Sequence, residues 1–503
     1  MKRLSPRKLI VLITIVVSAM PLISLTQVFD GISYIKVFVA LICITPMMPI
    51  ILKDVFENKT GTVLKILCIA MLLTTALIVY LTPGDYRGIF GAPGRHNGSL
   101  SLLLYIYFII FGIYVYTKRA MPIVVRGLQI SSVLTCVASF MKSIFPSFSL
   151  FPSLNLSSSS FYDNVDNIAP LVSMALTASF ILYFKSKNIL YLLVQMPAIY
   201  FVIKWQLLQS VVTVLASFAV FYFLNKNPKS RLLALTPFFT LVAYVSTIKL
   251  LPLTPLVNDS SILERYKIIT FSSEIWNNFS LFPIHIDALS DFSSNFSKFI
   301  PNQYLDDFHN VYLHMFFSFG LVTGLAISLM FLTPFILRTW NSSESLEVFP
   351  IYANFAIGLI FGIASGNYMY FGCIFIGYLI GGTLSDRQNK PTKSQNSAVL
   401  FCLIVLVAIP GFIQVKDFGQ RLEVSNQTVS YSPELSDDKY FESLVDNVLD
   451  LGDAEYKFQV ARNLYVIGKC SFGDLISKQL YEINSREVRN HQLFRLKESC
   501  RQV

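Results

Sequence analysis

The chain has 503 residues, of which 54% are hydrophobic and only 14% charged, with a mean hydropathy of +0.57. Soluble domains carry about 25% charged residues, so these values argue against a soluble enzyme, a secreted disulfide scaffold and a disordered protein. The formal net charge of +10, with a pI near 9.1, suggests a nucleic-acid partner only until the charges are mapped.

A helix needs about 20 apolar residues to cross a bilayer core. The apolar runs predict thirteen spans, near 9–28, 35–52, 64–82, 99–117, 121–145, 168–184, 188–203, 206–224, 231–250, 309–337, 349–366, 368–384 and 397–415. The run at 188–203 is short. The first run does not read as a cleaved signal, because Pro21 and Gln27 follow it and no A-x-A site is present. Backbone groups in lipid must be satisfied within helices, so the expected fold is all-α and polytopic. Lys2, Arg3, Arg7 and Lys8 place the N-terminus in the cytoplasm, and alternation then assigns every loop. Counted with the cations at span edges, the predicted cytoplasmic segments hold 19 Lys and Arg against five acids. The outer loops and the tail each hold more acids than bases. The positive excess is therefore an orientation signal for a multi-pass protein of the cytoplasmic membrane, and gives no support for nucleic acid.

The predicted organisation is a transmembrane domain over 1–415, with a long outer loop at 251–308, and a small extracytoplasmic helical domain over 416–503. In the tail, apolar residues recur at three- and four-residue steps over Glu434 to Val448, Asp453 to Ile467, Phe472 to Tyr481 and Arg486 to Glu498. Gly452 and Gly468 punctuate these runs, and Ser485 is an N-cap candidate. Cys470 and Cys500 both fall in the tail, where an exported compartment permits a disulfide without requiring one. No repeat of 20–50 residues and no inverted repeat is visible. The cytoplasmic loops leave no room for a nucleotide-binding domain, so any chemistry belongs to the outer face.

Polar residues at a membrane interface carry a desolvation cost of several kcal/mol. The densest outer cluster runs from Gly84-Asp85-Tyr86-Arg87-Gly88 to Gly94-Arg95-His96-Asn97-Gly98. Its glycines let backbone N–H groups approach a ligand, and Arg95 offers a planar fork for phosphate oxygens. A solvated loop with an arginine at headgroup level is the plainer alternative. The second cluster is Asp306-Asp307-Phe308-His309-Asn310-Val311-Tyr312-Leu313-His314. His309 is suited to act as a base, with Tyr312 on the same helix face; an amphipathic interface anchor is the alternative. Further outer candidates are Asn164, Asp166, Asn167, Lys204, Gln209, Arg265 and Lys267. No paired His stands at metal spacing, and Asp163/Asp166 and Asp306/Asp307 read as solvated loop acids. No metal or cofactor is expected.

At these residues the chain resembles the O-antigen ligase / O-antigen polymerase superfamily of polytopic glycosyltransferases, over roughly residues 84 to 335. Gly94-Arg95-His96-Asn97-Gly98 resembles the family's early G-R-x-x-G loop, and Asn164-Val165-Asp166-Asn167 its N-P-N stretch, with Val165 and Asp166 in place of the usual residues. Gln209-Ser210 falls where many members carry Ser-Arg; here the arginine is missing and Lys204 is the nearby cation. Arg265 stands at the usual arginine of the long loop, with Trp276 after it. Leu281-Phe282-Pro283 to Phe292 follows a P-x-x-G-x-G-x-x-x-F pattern without its glycines. Phe308-His309-Asn310-Val311-Tyr312-Leu313 is similar to the family's most specific motif.

The resemblance implies transfer of a glycan from a polyprenyl-diphosphate carrier to an acceptor hydroxyl at the outer face, as in cell-surface polysaccharide biosynthesis. His309, Arg95 and Arg265 would be catalytic. Arg87, Asn97, Asn164, Asn167, Lys204, Gln209, Lys267, Asn310 and Tyr312 would bind substrate. The reaction would invert configuration and need no metal. The expected partners are the lipid-linked donor, the bilayer, a glycan, lipid or protein acceptor, and a protein partner for the C-terminal domain. Ligase, repeat-unit polymerase and protein O-oligosaccharyltransferase remain open, as do a lipid-linked glycan flippase and a membrane assembly protein.

Overall fold

The computed structural model describes residues 5–23, 33–81, 89, 98–144, 168–204, 207–226, 267–268, 270–272, 281, 308, 310–339, 343–361, 366–386, 413, 416, 438–450, 454–466, 468–483 and 496–500. Among them the chain is mostly helical. The apolar region comprises α1 (Pro6–Ala19), α2 (Ser33–Ile44), α3 (Met48–Asn58), α4 (Thr62–Leu81), α5 (Ser99–Thr117), α6 (Met121–Ile144), α7 (Ala169–Ser186), α8 (Leu190–Leu193), α9 (Met196–Lys204), α10 (Leu208–Lys226), α11 (Val311–Ile336), α12 (Ser343–Phe361) and α13 (Gly366–Gly381). Ser5 caps α1, its side chain accepting from the Lys8 backbone N–H at 3.4 Å, with Pro6 in the first turn.

Six helical stretches are long and apolar enough to cross a membrane: Ile35–Asn58, Thr62–Tyr80, Ser99–Thr117, Met121–Met141, Ala169–Ser186 and Val311–Ile336. Three shorter apolar helices cover Gln209–Asn225, Ser345–Ile360 and Tyr368–Gly381. The predicted spans 231–250 and 397–415 lie almost wholly outside the described residues. Four predicted spans differ from what forms, among them 35–52, which passes through a 3₁₀ turn at Thr45–Met47 and runs on to Asn58. The first helix ends at Ala19 and passes into a 3₁₀ turn at Met20–Leu22, because Pro21 has no N–H to continue the ladder. The 188–203 run is broken between α8 and α9. The 309–337 run is bent at Gly320, whose φ of 78° and ψ of 163° suit glycine and hardly any other residue.

Helix α5 sits at the centre, buried from Ser99 to Val115, as befits a helix that is apolar on every side. Its most extensive partner is α13, and glycines bring the two backbones together. A Cβ on Gly377 would lie 1.8 Å from the Ile109 carbonyl oxygen, and one on Gly112 would lie 2.2 Å from that of Ile374. Without a hydrophobic drive between helices in lipid, such close packing supplies the attraction. Phe108 stacks on Tyr370 at 4.6 Å and Tyr116 meets Tyr378 edge-on at 5.2 Å. These pairs advance together, so α5 and α13 run parallel. By the same argument α7 and α12 run antiparallel: Ser173 and Thr177 meet Asn354, and Lys185 pairs with Glu347.

One end of the bundle gathers the charges. Asp54 pairs with Lys118. The Lys59 ammonium donates to the Leu384 carbonyl at 3.4 Å and lies 5.0 Å from the Tyr116 ring centroid. A two-residue antiparallel ladder, β1 (Lys59–Thr60) with β2 (Ser385–Asp386), joins two loops there, with Lys59 opposite Asp386. The charged residues of this cluster all belong to segments that the sequence assigns to the cytoplasmic side.

The tail forms α14 (Asp438–Asp450), α15 (Ala454–Val466) and α16 (Cys470–Ile483), close to the predicted runs. Residues 496–500 are helical, overlapping the end of the fourth predicted run, while Ser485 lies outside the described residues. Phe441, Leu444, Val448, Leu464 and Ile476 lead a core separate from that of the bundle. Gly468, at φ 79°, ends α15, and the Lys469 N–H returns to the Leu464 carbonyl at 2.9 Å. Cys470 and Cys500 form a disulfide, with Cα atoms 5.9 Å apart.

Candidate functional site

Asn310, Tyr312, Lys204, Gln209 and Ser210 lie at helix termini on the end of the bundle opposite the charge cluster. Asn310 adopts an extended backbone (φ −147°) just before α11, and its Oδ1 accepts from the Leu313 N–H at 3.1 Å. It is the N-cap, which explains an asparagine at this position in structural terms. Two residues on, the Tyr312 hydroxyl donates to the Ala356 carbonyl of α12 at 3.2 Å. The α12 chain is in turn fixed to α7: Ser173 donates to Asn354 Oδ1 at 3.0 Å, and Asn354 Nδ2 donates to Thr177 at 2.9 Å. At the start of α7 the Ala169 carbonyl accepts from Ser210, the neighbour of Gln209 at the start of α10, at 3.0 Å. Four helix ends are thus tied by neutral hydrogen bonds in a low-dielectric setting, where leaving a partner unsatisfied costs about 1–3 kcal/mol.

The bend in α11 adds a further connection. Beyond Gly320 the Val322 N–H cannot reach a carbonyl of its own helix and donates to Leu281, at 3.1 Å. Leu281 opens the Leu281-Phe282-Pro283 motif of the long loop, so this loop meets α11 at the bend. A Cβ on Gly324 would lie 2.5 Å from the Phe316 Cα, eight residues earlier, so the elbow is sharp. The segment before it carries His314, which is buried and shares a 3.3 Å hydrogen bond with Ser318. His314 therefore sits deeper in the helix, inside the packing.

Lys204 ends α9, exposed, with its ammonium 5.8 Å from the Phe140 ring centroid. Gln209 and Lys267 are half-buried, and Lys267 is followed by the buried Ile268 and Phe271. His309, Arg95, Arg265, Arg87, Asn97, Asn164 and Asn167 lie outside the described residues. Their nearest described neighbours are Asn310 beside His309, Gly98 beside Asn97, Lys267 two residues after Arg265, and Ile168 beside Asn167.

Two sets of buried amides were not singled out by sequence reasoning. Asn354 is one. Gln129 and Gln195 are the other: Gln195 Nε2 donates to the Gln129 carbonyl at 3.2 Å, and Gln129 Nε2 donates to Ser179 at 2.7 Å. The available signal was an uncharged amide within an apolar run, which a search for charges passes over. Among the described residues no group of three or more His, Cys, Asp or Glu could hold a metal ion. No protein-family model, curated protein or solved structure matches this chain.

Proposed function

We propose that the chain transfers a glycan from a polyprenyl-diphosphate carrier to an acceptor hydroxyl at the outer face of the cytoplasmic membrane, in the manner of an O-antigen ligase. The observation that carries this reading is the tie between the starts of α7, α10 and α11 through α12. The motif-bearing segments at 164–167, 209–210 and 309–312 each adjoin one of those starts. Such a site adjoins the bilayer, as a lipid-borne donor requires, and stands opposite the basic end, as the outward orientation requires. The disulfide between Cys470 and Cys500 suits a tail in an oxidising compartment. Thirteen spans would deliver it there.

In this mechanism His309 accepts the proton of the acceptor hydroxyl. The hydroxyl oxygen attacks the anomeric carbon, the bond to the diphosphate breaks, and its electron pair leaves on the diphosphate oxygen. Arg95 and Arg265 hold the growing negative charge, each charge-assisted hydrogen bond contributing about 1.5–3 kcal/mol. Full-length protein in vesicles, given a labelled lipid-linked glycan and a panel of acceptors, is the test. His309→Ala is expected to lower transfer by about 10²–10⁴-fold while the protein stays folded, and Arg95→Lys and Arg265→Lys to lower it by losing the planar fork. Undiminished transfer by the His309 variant removes that residue from the mechanism. Movement of the labelled lipid across the vesicle without transfer would instead support a flippase.

A further inference from the structure

Two rows of half-exposed apolar side chains lie next to each other on α6 and on the broken span α8–α9. Leu134, Val137 and Phe140 follow at three-residue steps on α6, and Leu193, Met196 and Tyr200 at three- and four-residue steps on the other. The two elements run in the same direction. Gln195 holds the Gln129 carbonyl near the break, and further on the Phe140 ring meets the Tyr200 ring edge-on at 5.9 Å. The rows therefore meet at an aromatic pair, and Lys204 closes them, its ammonium over Phe140.

An apolar face toward lipid is ordinary on a membrane helix. Two features set this one apart. The broken span from Leu190 to Lys204 is about 22 Å long, short of the roughly 30 Å of a bilayer core. Lys204 lies beside Phe140, about one turn short of the end of α6 at Ile144, so a cation there favours an anionic headgroup drawn slightly inward. The similar face of α4, from Ile66 through Leu73 to Tyr80, is as exposed, and the last turns of that helix hold no Lys or Arg. Apolar rows closed by an aromatic-seated cation complement a long hydrocarbon with a phosphate head.

We propose that the strip between α6 and α8–α9 seats the polyprenyl chain of the lipid-linked donor, with Lys204 against its phosphate. This rests on the glycosyl-transfer reading above and assigns the side from which the donor enters. The test uses full-length protein in phosphatidylcholine vesicles, with p-benzoylphenylalanine placed at Met196 or, as the comparison, at Leu73. The probes are labelled polyprenyl phosphate without sugar and labelled phosphatidylcholine. The expected result is about tenfold greater capture of polyprenyl phosphate at Met196 than at Leu73, with phosphatidylcholine captured equally at both. Lys204→Gln should lower the Met196 capture about tenfold, the scale of one charge-assisted contact, and Lys204→Arg should restore it. Equal capture of polyprenyl phosphate at the two positions, or capture unchanged by Lys204→Gln, overturns the strip even if glycan transfer is observed. Selective, Lys204-dependent capture by a protein that shows no transfer keeps the strip and overturns the enzymatic reading instead.

Discussion

At the basic end of the bundle Asp54 pairs with Lys118 and Lys185 with Glu347, whereas at the opposite end Tyr312 donates to Ala356 and Ser210 to Ala169. The first set consists of charges within reach of water, where screening and side-chain entropy reduce an ion pair to about 0–1 kcal/mol. The second consists of neutral groups, most of them buried, and loss of a partner there is not made good by solvent. One end is thus fastened by weak contacts within reach of water. The other is fastened by few contacts, each of which sets the register of a helix start beside a candidate site residue.

The largest effect should come from the glycine contact between α5 and α13, which belongs to neither set. Gly377→Leu drives a side chain into the Ile109 carbonyl, and the expected loss is about 3 kcal/mol, read as a fall in thermal unfolding temperature in detergent. An unchanged unfolding temperature would mean that α5 and α13 do not pack as described. Next is Gly320→Val at the elbow of α11. Its backbone lies where side chains other than hydrogen are strained by about 1–3 kcal/mol, so moderate destabilisation with strongly reduced transfer is expected, since the elbow receives the Leu281 loop. Asn354→Leu removes the amide between Ser173 and Thr177. Interhelical hydrogen bonds in membranes contribute about 0.6–2 kcal/mol, so a shift of about 1 kcal/mol is expected, with transfer impaired beyond what the stability change accounts for. The smallest effect belongs to the basic end. Asp54→Asn, where both side chains of the pair are about a quarter exposed, should cost under about 1 kcal/mol and leave transfer intact. If Asp54→Asn impaired transfer as much as Asn354→Leu does, the functional difference between the two ends would be lost.

Much of the architecture was legible in the residues, since an apolar run long enough to cross a bilayer has few alternatives. The tail helices followed from their amphipathic period and the Gly468 stop, and the opposite grouping of charge and outer motifs followed from alternation. The candidate site was legible only as a set of segments. Asn310 drew notice as part of a motif, yet its side chain caps α11. Asn354 drew none, because a lone amide within an apolar run does not show which helix will face it.

Composition and periodicity alone determined that this chain is helical and that it is apolar enough to enter a membrane. These follow from the cost of unsatisfied backbone in lipid, which every residue meets locally. Tertiary structure decided which helix is central. The equally apolar α4 and α5 take opposite roles, α5 enclosed along its length and α4 turning Ile66, Ile69 and Leu73 outward. It also decided where spans break, at Gln195 and Gly320, and which helix starts meet. Those outcomes depend on partners distant in sequence, whose hydrogen bonds and close glycine contacts exist only once the helices have packed.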